Sequence, residues 1–187
     1  RSTLFPYTTL FRSASKEYGL AILPDYPFGG MEHPGAFQIN ESRLLLDKNA
    51  SKEEQLKRTE LIAHETSHLW FGNVVQLNWT ENLWEKEVIA NIMASKITRK
   101  QVDAKESDIN FLSTYQNKAI KLDRTDGTHA IEQPSIVDHT TLLYDNIIYN
   151  KATVMMRSLE QLMGATKMQN GLRSFLQKYY FKNASTS

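Results

Sequence analysis

The sequence predicts an α+β chain that is mainly α, and two observations carry that expectation. Residues 17–46 form short apolar runs broken by prolines and glycines, the pattern of strands and tight turns. From residue 51 onward apolar residues return at helical spacing in five successive segments, so a small sheet should precede a helical body.

The elements follow in order. YGLAIL, residues 18–23, is a short apolar run halted by Pro24 and reads as a strand. Residues 25–35 carry two prolines and three glycines, a loop with tight turns. Residues 36–46 alternate only in part and suit one strand or a hairpin. Ser51 followed by Glu54 fits a capping box, the start of a helix whose apolar stripe is Leu56, Leu61, Ile62, Leu69 and Trp70, with Gly72 as its stop. That stripe predicts a mostly buried helix. A second helix is expected over about residues 81–99, with Trp84, Val88, Met93 and Ile97 near helical spacing. A third covers about 108–122, and residues 123–134 read as a polar loop. A fourth covers about 141–163, broken near its start and ended by Gly164, and a fifth about 167–180.

The 187 residues are enough to bury a real core. A net charge of +1 gives no reason to expect nucleic acid or an anionic membrane as partner, and no apolar run approaches the roughly 18 residues that span a bilayer. Cysteine is absent, which excludes disulfides and thiolate metal sites but does not choose between a cytoplasmic and an exported, periplasmic setting. Residues 1–13, RSTLFPYTTLFRS, resemble a translated sequencing-adapter remnant and are expected to take no part in the fold; the alternative is a genuine strand. Residues 14–187 are then expected to be part of one domain, cut at both ends.

His64-Glu65-Thr66-Ser67-His68 is H-E-x-x-H inside the first expected helix. The i to i+4 spacing puts both imidazoles on one face, where they can share one metal ion, and Glu65 beside them can polarise a metal-bound water as general base. By chance the five-residue pattern arises in about 1% of chains of this composition, so it needs support. Two solvated histidines are the bland alternative, and the apolar neighbours argue against it. A catalytic zinc site has three protein ligands and an open position, and His₂Glu is one known set. Glu81, Glu85 and Glu87 all fall in the second helix, and periodicity alone does not choose among them.

HETSHLWFGN, residues 64–73, and WTENLWEKEVIAN, residues 79–91, resemble the gluzincin metallo-aminopeptidases, the family of aminopeptidase N and the leukotriene-A hydrolases. In that family a second glutamate follows the last histidine after an 18-residue gap, which here falls on Glu87. Gly29-Gly30-Met31-Glu32-His33 is similar to the G-x-M-E-N exopeptidase motif, and YDNIIYNKATVMM, residues 144–156, to the segment carrying a catalytic tyrosine, here Tyr149.

The resemblance implies a thermolysin-like catalytic domain. It implies one Zn²⁺ on His64, His68 and Glu87, with Glu65 as general base and Tyr149 on the oxyanion. Gly29, Gly30, Met31 and Glu32 would bind the substrate, Glu32 pairing with the α-ammonium of a peptide with a free N-terminus. Met31 would line the pocket for the first side chain. It implies further domains on either side that wall the cleft, so the isolated chain is expected to be marginally stable and weakly active. His33 stands where Asn is usual; Lys86 and Val88 flank Glu87 where Asn and Gly are common; Asn82 stands where Asp often does. His129 and His139 match no metal spacing and read as loop or surface residues.

The leading expectation is therefore a zinc-dependent aminopeptidase in which a Glu65-activated, zinc-bound water attacks the first peptide bond. The alternatives are a thermolysin-like endopeptidase, which does not need Glu32, a lipid-epoxide hydrolase, and a non-catalytic family-like scaffold.

Overall fold

The computed structural model describes residues 18–77, 83–126, 128, 130–131 and 147–184. Residues 1–17, Glu81, Asn82, His129, His139 and Tyr144 lie outside these, with whatever was expected of them. The described residues form an α+β arrangement that is mainly α, as the sequence predicts.

Strand β1, Gly19–Leu23, runs parallel to β3, Ala36–Asn40, and the two-residue β2, Gly30–Met31, pairs antiparallel with the other edge of β3. The sheet order is therefore β1-β3-β2. No hairpin forms from residues 36–46. After β3 the Asn40 side chain accepts the Ser42 N–H at 2.9 Å and opens a short helix, α1, Glu41–Leu44. Asparagine at a cap competes successfully with strand continuation because its side chain satisfies a backbone donor. The inward residues of β3, Phe37 and Ile39, are buried, as period-two alternation requires.

Helix α2, Lys52–Ser67, starts at the expected capping box. Glu54 N–H donates to Ser51 Oγ at 3.2 Å, and Ser51 N–H donates to Glu54 Oε2 at 2.8 Å. Its end differs from expectation. At Leu69 and Trp70 the backbone donors turn to the carbonyls three residues back, Thr66 at 3.2 Å and Ser67 at 3.1 Å. This tightening swings Leu69, Trp70 and Phe71 off the helix face into the core. Burial is likewise confined to Leu56, Ala63 and the last turn, and Ile62 is 37% exposed. The following turn closes through Asn73 N–H to His68 O at 3.0 Å and Gly72 N–H to Val75 O at 2.9 Å. Gly72 holds φ +135°, a backbone that a side chain disfavours.

The short β4, Gln76–Leu77, pairs in parallel with β5, Asn183–Ala184. Helix α3, Leu83–Gln101, packs along α2 and buries Val88, Ile89, Ala90, Ile92, Met93 and Ala94.

The third helix begins earlier than its apolar pattern suggests. Asp103 accepts the N–H of Lys105 at 2.8 Å and of Glu106 at 3.0 Å, and α4 runs Ala104–Phe111. A π-helical segment, Leu112–Gln116, then leads into α5, Asn117–Asp123. Glu60 in α2 anchors this rod by accepting from Asn110 Nδ2 at 2.7 Å and Tyr115 OH at 3.1 Å. A second π segment, Ile147–Lys151, precedes α6, Ala152–Met163, which ends at Gly164 with φ +87° as expected. Helix α7 spans Ala165–Lys178. Its Met168, Leu172 and Leu176 close the main core over Phe37, Ile39, Trp70, Phe71 and Val74. No helix among the described residues is long and apolar enough to cross a membrane.

Candidate metal centre

The last turn of α2 delivers the two histidines. His68 is the C-cap residue, not an interior position, yet it keeps helical angles, φ −63° and ψ −18°. One turn of separation therefore survives, and the two Nε2 atoms stand 3.1 Å apart with the rings edge-to-face. His68 Nδ1 lies 2.9 Å from Phe71 O. A carbonyl only accepts, so Nδ1 carries the proton and Nε2 turns its lone pair to the cluster. The same tight turn that buries Phe71 thus sets the tautomer of His68.

Glu87, one turn into α3, brings Oε2 to 3.2 Å from His64 Nε2 and 3.6 Å from His68 Nε2. A tetrahedral zinc site with ligands at about 2.0–2.1 Å has ligand-to-ligand edges of roughly 3.3 Å. The three separations fall on either side of that value, so the donor set fits a tetrahedrally bound divalent ion without rearrangement. Glu85 belongs to neither group of convergent ligand atoms among the described residues.

Glu65 lies within the neighbouring group of ligand atoms formed with Glu32 and His68, all within 4.8 Å of one another. Burial, reinforced by the charges of Glu32 and Glu87 and opposed by His64 and Lys86, raises its carboxyl to about 7. Burial opposes the charge of Glu87 too, but hydrogen bonds and charge from both histidines hold it well below the ordinary carboxylate range. His68 moves the other way: burial would lower it, but Glu87 and Glu32 raise it.

β2 and the residues flanking it bring Gly30 and Glu32 against this cluster, and Gly29 against Leu61 of α2. Asn73 Nδ2, from the turn after α2, donates to Glu32 O at 3.0 Å and pins the loop. The Glu32 carboxylate accepts from Lys86 Nζ at 2.5 Å, and Lys86 Nζ also lies 3.5 Å from Glu87 Oε1. Gly30 passes so close to Glu65 that a Cβ would stand 2.6 Å from Glu65 Cδ, and a Cβ at Gly29 would meet Leu61 Cδ1 at 3.3 Å. Met31 is half-buried and pairs with Gln38.

Tyr149 sits in the π segment ahead of α6 and is half-buried. Its carbonyl accepts the Thr153 hydroxyl at 2.5 Å, and the same hydroxyl accepts Asn91 Nδ2 at 3.1 Å. Asn91 lies one turn beyond Glu87 on α3. The segment carrying Tyr149 is therefore fastened to the helix that carries Glu87.

The chain matches the Peptidase family M1 domain over residues 8–187. It belongs to peptidase family M1. Among similar proteins, "Probable aminopeptidase 1" of Sulfurisphaera tokodaii is 34% identical over 88% of this chain and 21% of its own length. Aminopeptidase N of Lactococcus lactis is 33% identical over 89% of this chain and 20% of its own length. Leucyl aminopeptidase of Saccharolobus solfataricus is 30% identical over 90% and 22%. The M1 chain described here thus spans about a fifth of the length of the curated relatives it matches.

Four residues of this M1 site escape a reading from motifs alone: Asn73, Lys86, Asn91 and Thr153. All four lie inside the recognised segments, but each contacts a residue far away in sequence, and spacing carries no record of such contacts.

Proposed function

We propose that the chain supplies the thermolysin-like metal-binding core of a zinc-dependent aminopeptidase. The observation that carries this reading is the convergence of Glu32 on the His64, His68 and Glu87 cluster. A carboxylate held there would pair with the free α-ammonium of a peptide whose first carbonyl faced the metal. Zinc, when bound, would supply a Lewis acid for the carbonyl and make a water acidic enough to attack at neutral pH.

The chain's own residues do the rest. His64 and His68 present Nε2, and Glu87 adds the third donor and a negative charge. Glu65, buried beside the cluster, is suited to take a proton from the attacking water and return it to the leaving amine. Tyr149 would donate its phenolic hydrogen to the developing oxyanion. Gly29 and Gly30 let backbone approach the substrate, and Met31 offers an adaptable apolar wall. Because the chain covers a fifth of its relatives, we assign the remaining walls of the cleft to further domains of a longer protein.

Zinc stoichiometry on the full-length protein, together with turnover of free and N-acetylated aminoacyl-anilides, tests the reading. One zinc per chain and faster cleavage of the free substrates than of the acetylated ones is expected. Equal cleavage of acetylated peptides would favour a thermolysin-like endopeptidase, which shares the His₂Glu set and has no use for Glu32.

A further inference from the structure

Lys86 stands directly before Glu87, and its side chain does not leave the site. The stem passes Gly72, where a Cβ would meet Lys86 Cδ at 3.4 Å, an ordinary contact distance. The ammonium ends 2.5 Å from Glu32 Oε1 and 3.5 Å from Glu87 Oε1, and the Lys86 and Glu32 side chains are only 16% and 14% exposed. Glu32 is thus already paired with a primary ammonium that the protein itself provides.

We infer that Lys86 is a specificity-determining residue: its ε-ammonium occupies the carboxylate that would otherwise receive the substrate's α-ammonium and competes with it. The inference rests on the aminopeptidase reading and deepens it. A peptide amine reaching Glu32 must displace a cation of the same chemical type or sit beside it, and two like charges on one poorly solvated carboxylate repel. The four-carbon stem is flexible enough to swing aside, so the contact acts as a competitor rather than a block. Substrates entering this site therefore give up part of the attraction that Glu32 would offer alone, and discrimination between free and blocked N-termini is narrowed.

The test compares the zinc-loaded full-length protein with Lys86→Met, which keeps length and loses charge, and Lys86→Arg, which keeps charge. For leucyl-anilide, Lys86→Met is expected to lower KM roughly tenfold with kcat changed less than about twofold. The inhibition constant of leucinamide should fall in parallel, and Lys86→Arg should resemble the parent. Adding Glu32→Gln should erase the gain in the Lys86→Met background and raise KM by a smaller factor in the parent, where Lys86 already shares that carboxylate. An unchanged or raised KM in Lys86→Met overturns the inference, as does an equal effect of Glu32→Gln in both backgrounds. Loss of zinc from Lys86→Met also overturns it, since Lys86 would then serve Glu87. If zinc-loaded parent and variant both fail to cleave free-amine substrates, the aminopeptidase reading falls and takes this inference with it. Parent turnover with no KM change in Lys86→Met removes this inference alone.

Discussion

Gly30 lies against Glu65: a Cβ on Gly30 would stand 2.6 Å from the Glu65 carboxyl carbon. The short β2 strand and the last turn of α2 meet at this point, and the sheet edge is the wall against which the carboxylate rests. Since the obstructing atoms belong to a side chain rather than to backbone, a methyl group there would push Glu65 aside instead of preventing the fold.

Gly30→Ala in the full-length protein should therefore retain zinc and unfold within about 1 kcal/mol of the parent, while kcat falls on the order of 100-fold, the usual cost of misplacing a reacting group by about 1 Å. Zinc analysis and steady-state kinetics on the same preparation decide it. Retained turnover would mean that the position of Glu65 does not matter to the reaction.

Burial of Glu65 also predicts a pH dependence of stability. Its carboxyl is raised from 4.5 to about 7 in the zinc-free fold, so the fold keeps a proton that the unfolded chain releases. The stabilisation is complete below pH 4.5 and is lost as pH rises through about 7. The full span is about 3 kcal/mol. Glu65→Gln cannot titrate, so the zinc-free parent should lose up to that much relative to Glu65→Gln between pH 4 and 8. Histidine and Glu87 titrations occur in both proteins and largely cancel. Urea denaturation at a series of pH values measures the difference, and parallel curves would count against a neutral, buried Glu65.

Metal removal should be felt through the whole α2–α3 pair. An ion bound by the fold and not by the unfolded chain stabilises by about 4 kcal/mol at a thousandfold excess over its dissociation constant. A chelator should accordingly lower Tm, and zinc should restore it. His64→Ala and Glu87→Ala should abolish the zinc-dependent rise. A chelator that leaves Tm unchanged would mean that no bound metal stabilises the fold.

The sequence made the donors of this centre legible but not the structure that aims them. His64 and His68 are one helical turn apart, so their geometry is local and spacing reveals it. The capping box at Ser51 and Glu54 is local too, and appears as read. By contrast, the tautomer of His68 depends on a turn that the apolar stripe concealed, because Leu69 and Trp70 fit a helix as well as they fit the core beneath it. Asp103 caps α4 several residues ahead of the apolar pattern, so periodicity does not reveal where that helix begins. The contacts of Lys86 with Glu32 and of Asn91 with Thr153 join residues 54 and 62 positions apart, and neither has any sequence signature.

The local signal at Ser51 yields a plain stability test. Ser51→Ala removes the acceptor for Glu54 N–H and weakens the reciprocal bond, at a cost of about 1 kcal/mol. The cap lies on the exposed start of α2, far along the helix from His64, so zinc stoichiometry should not change. Thermal unfolding checks the cost, and a loss well above 2 kcal/mol would show that α2 does not form without its cap.

Thr153 offers the last test, because it separates the support of Tyr149 from Tyr149 itself. Its hydroxyl accepts from Asn91 and donates to the Tyr149 carbonyl, and both Asn91 and Thr153 are buried. Thr153→Val keeps the shape, removes one bond to the Tyr149 carbonyl and takes away the acceptor of Asn91 Nδ2, which costs about 1–3 kcal/mol. If this link aims the π segment, the variant should also lose kcat, by less than Tyr149→Phe, for which removal of an oxyanion donor predicts a fall of roughly 100- to 1,000-fold. The double variant Tyr149→Phe, Thr153→Val should then be no slower than Tyr149→Phe alone, since a misplaced ring without a hydroxyl has nothing further to lose. Additive losses in kcat would assign Thr153 a part in the reaction that does not pass through Tyr149.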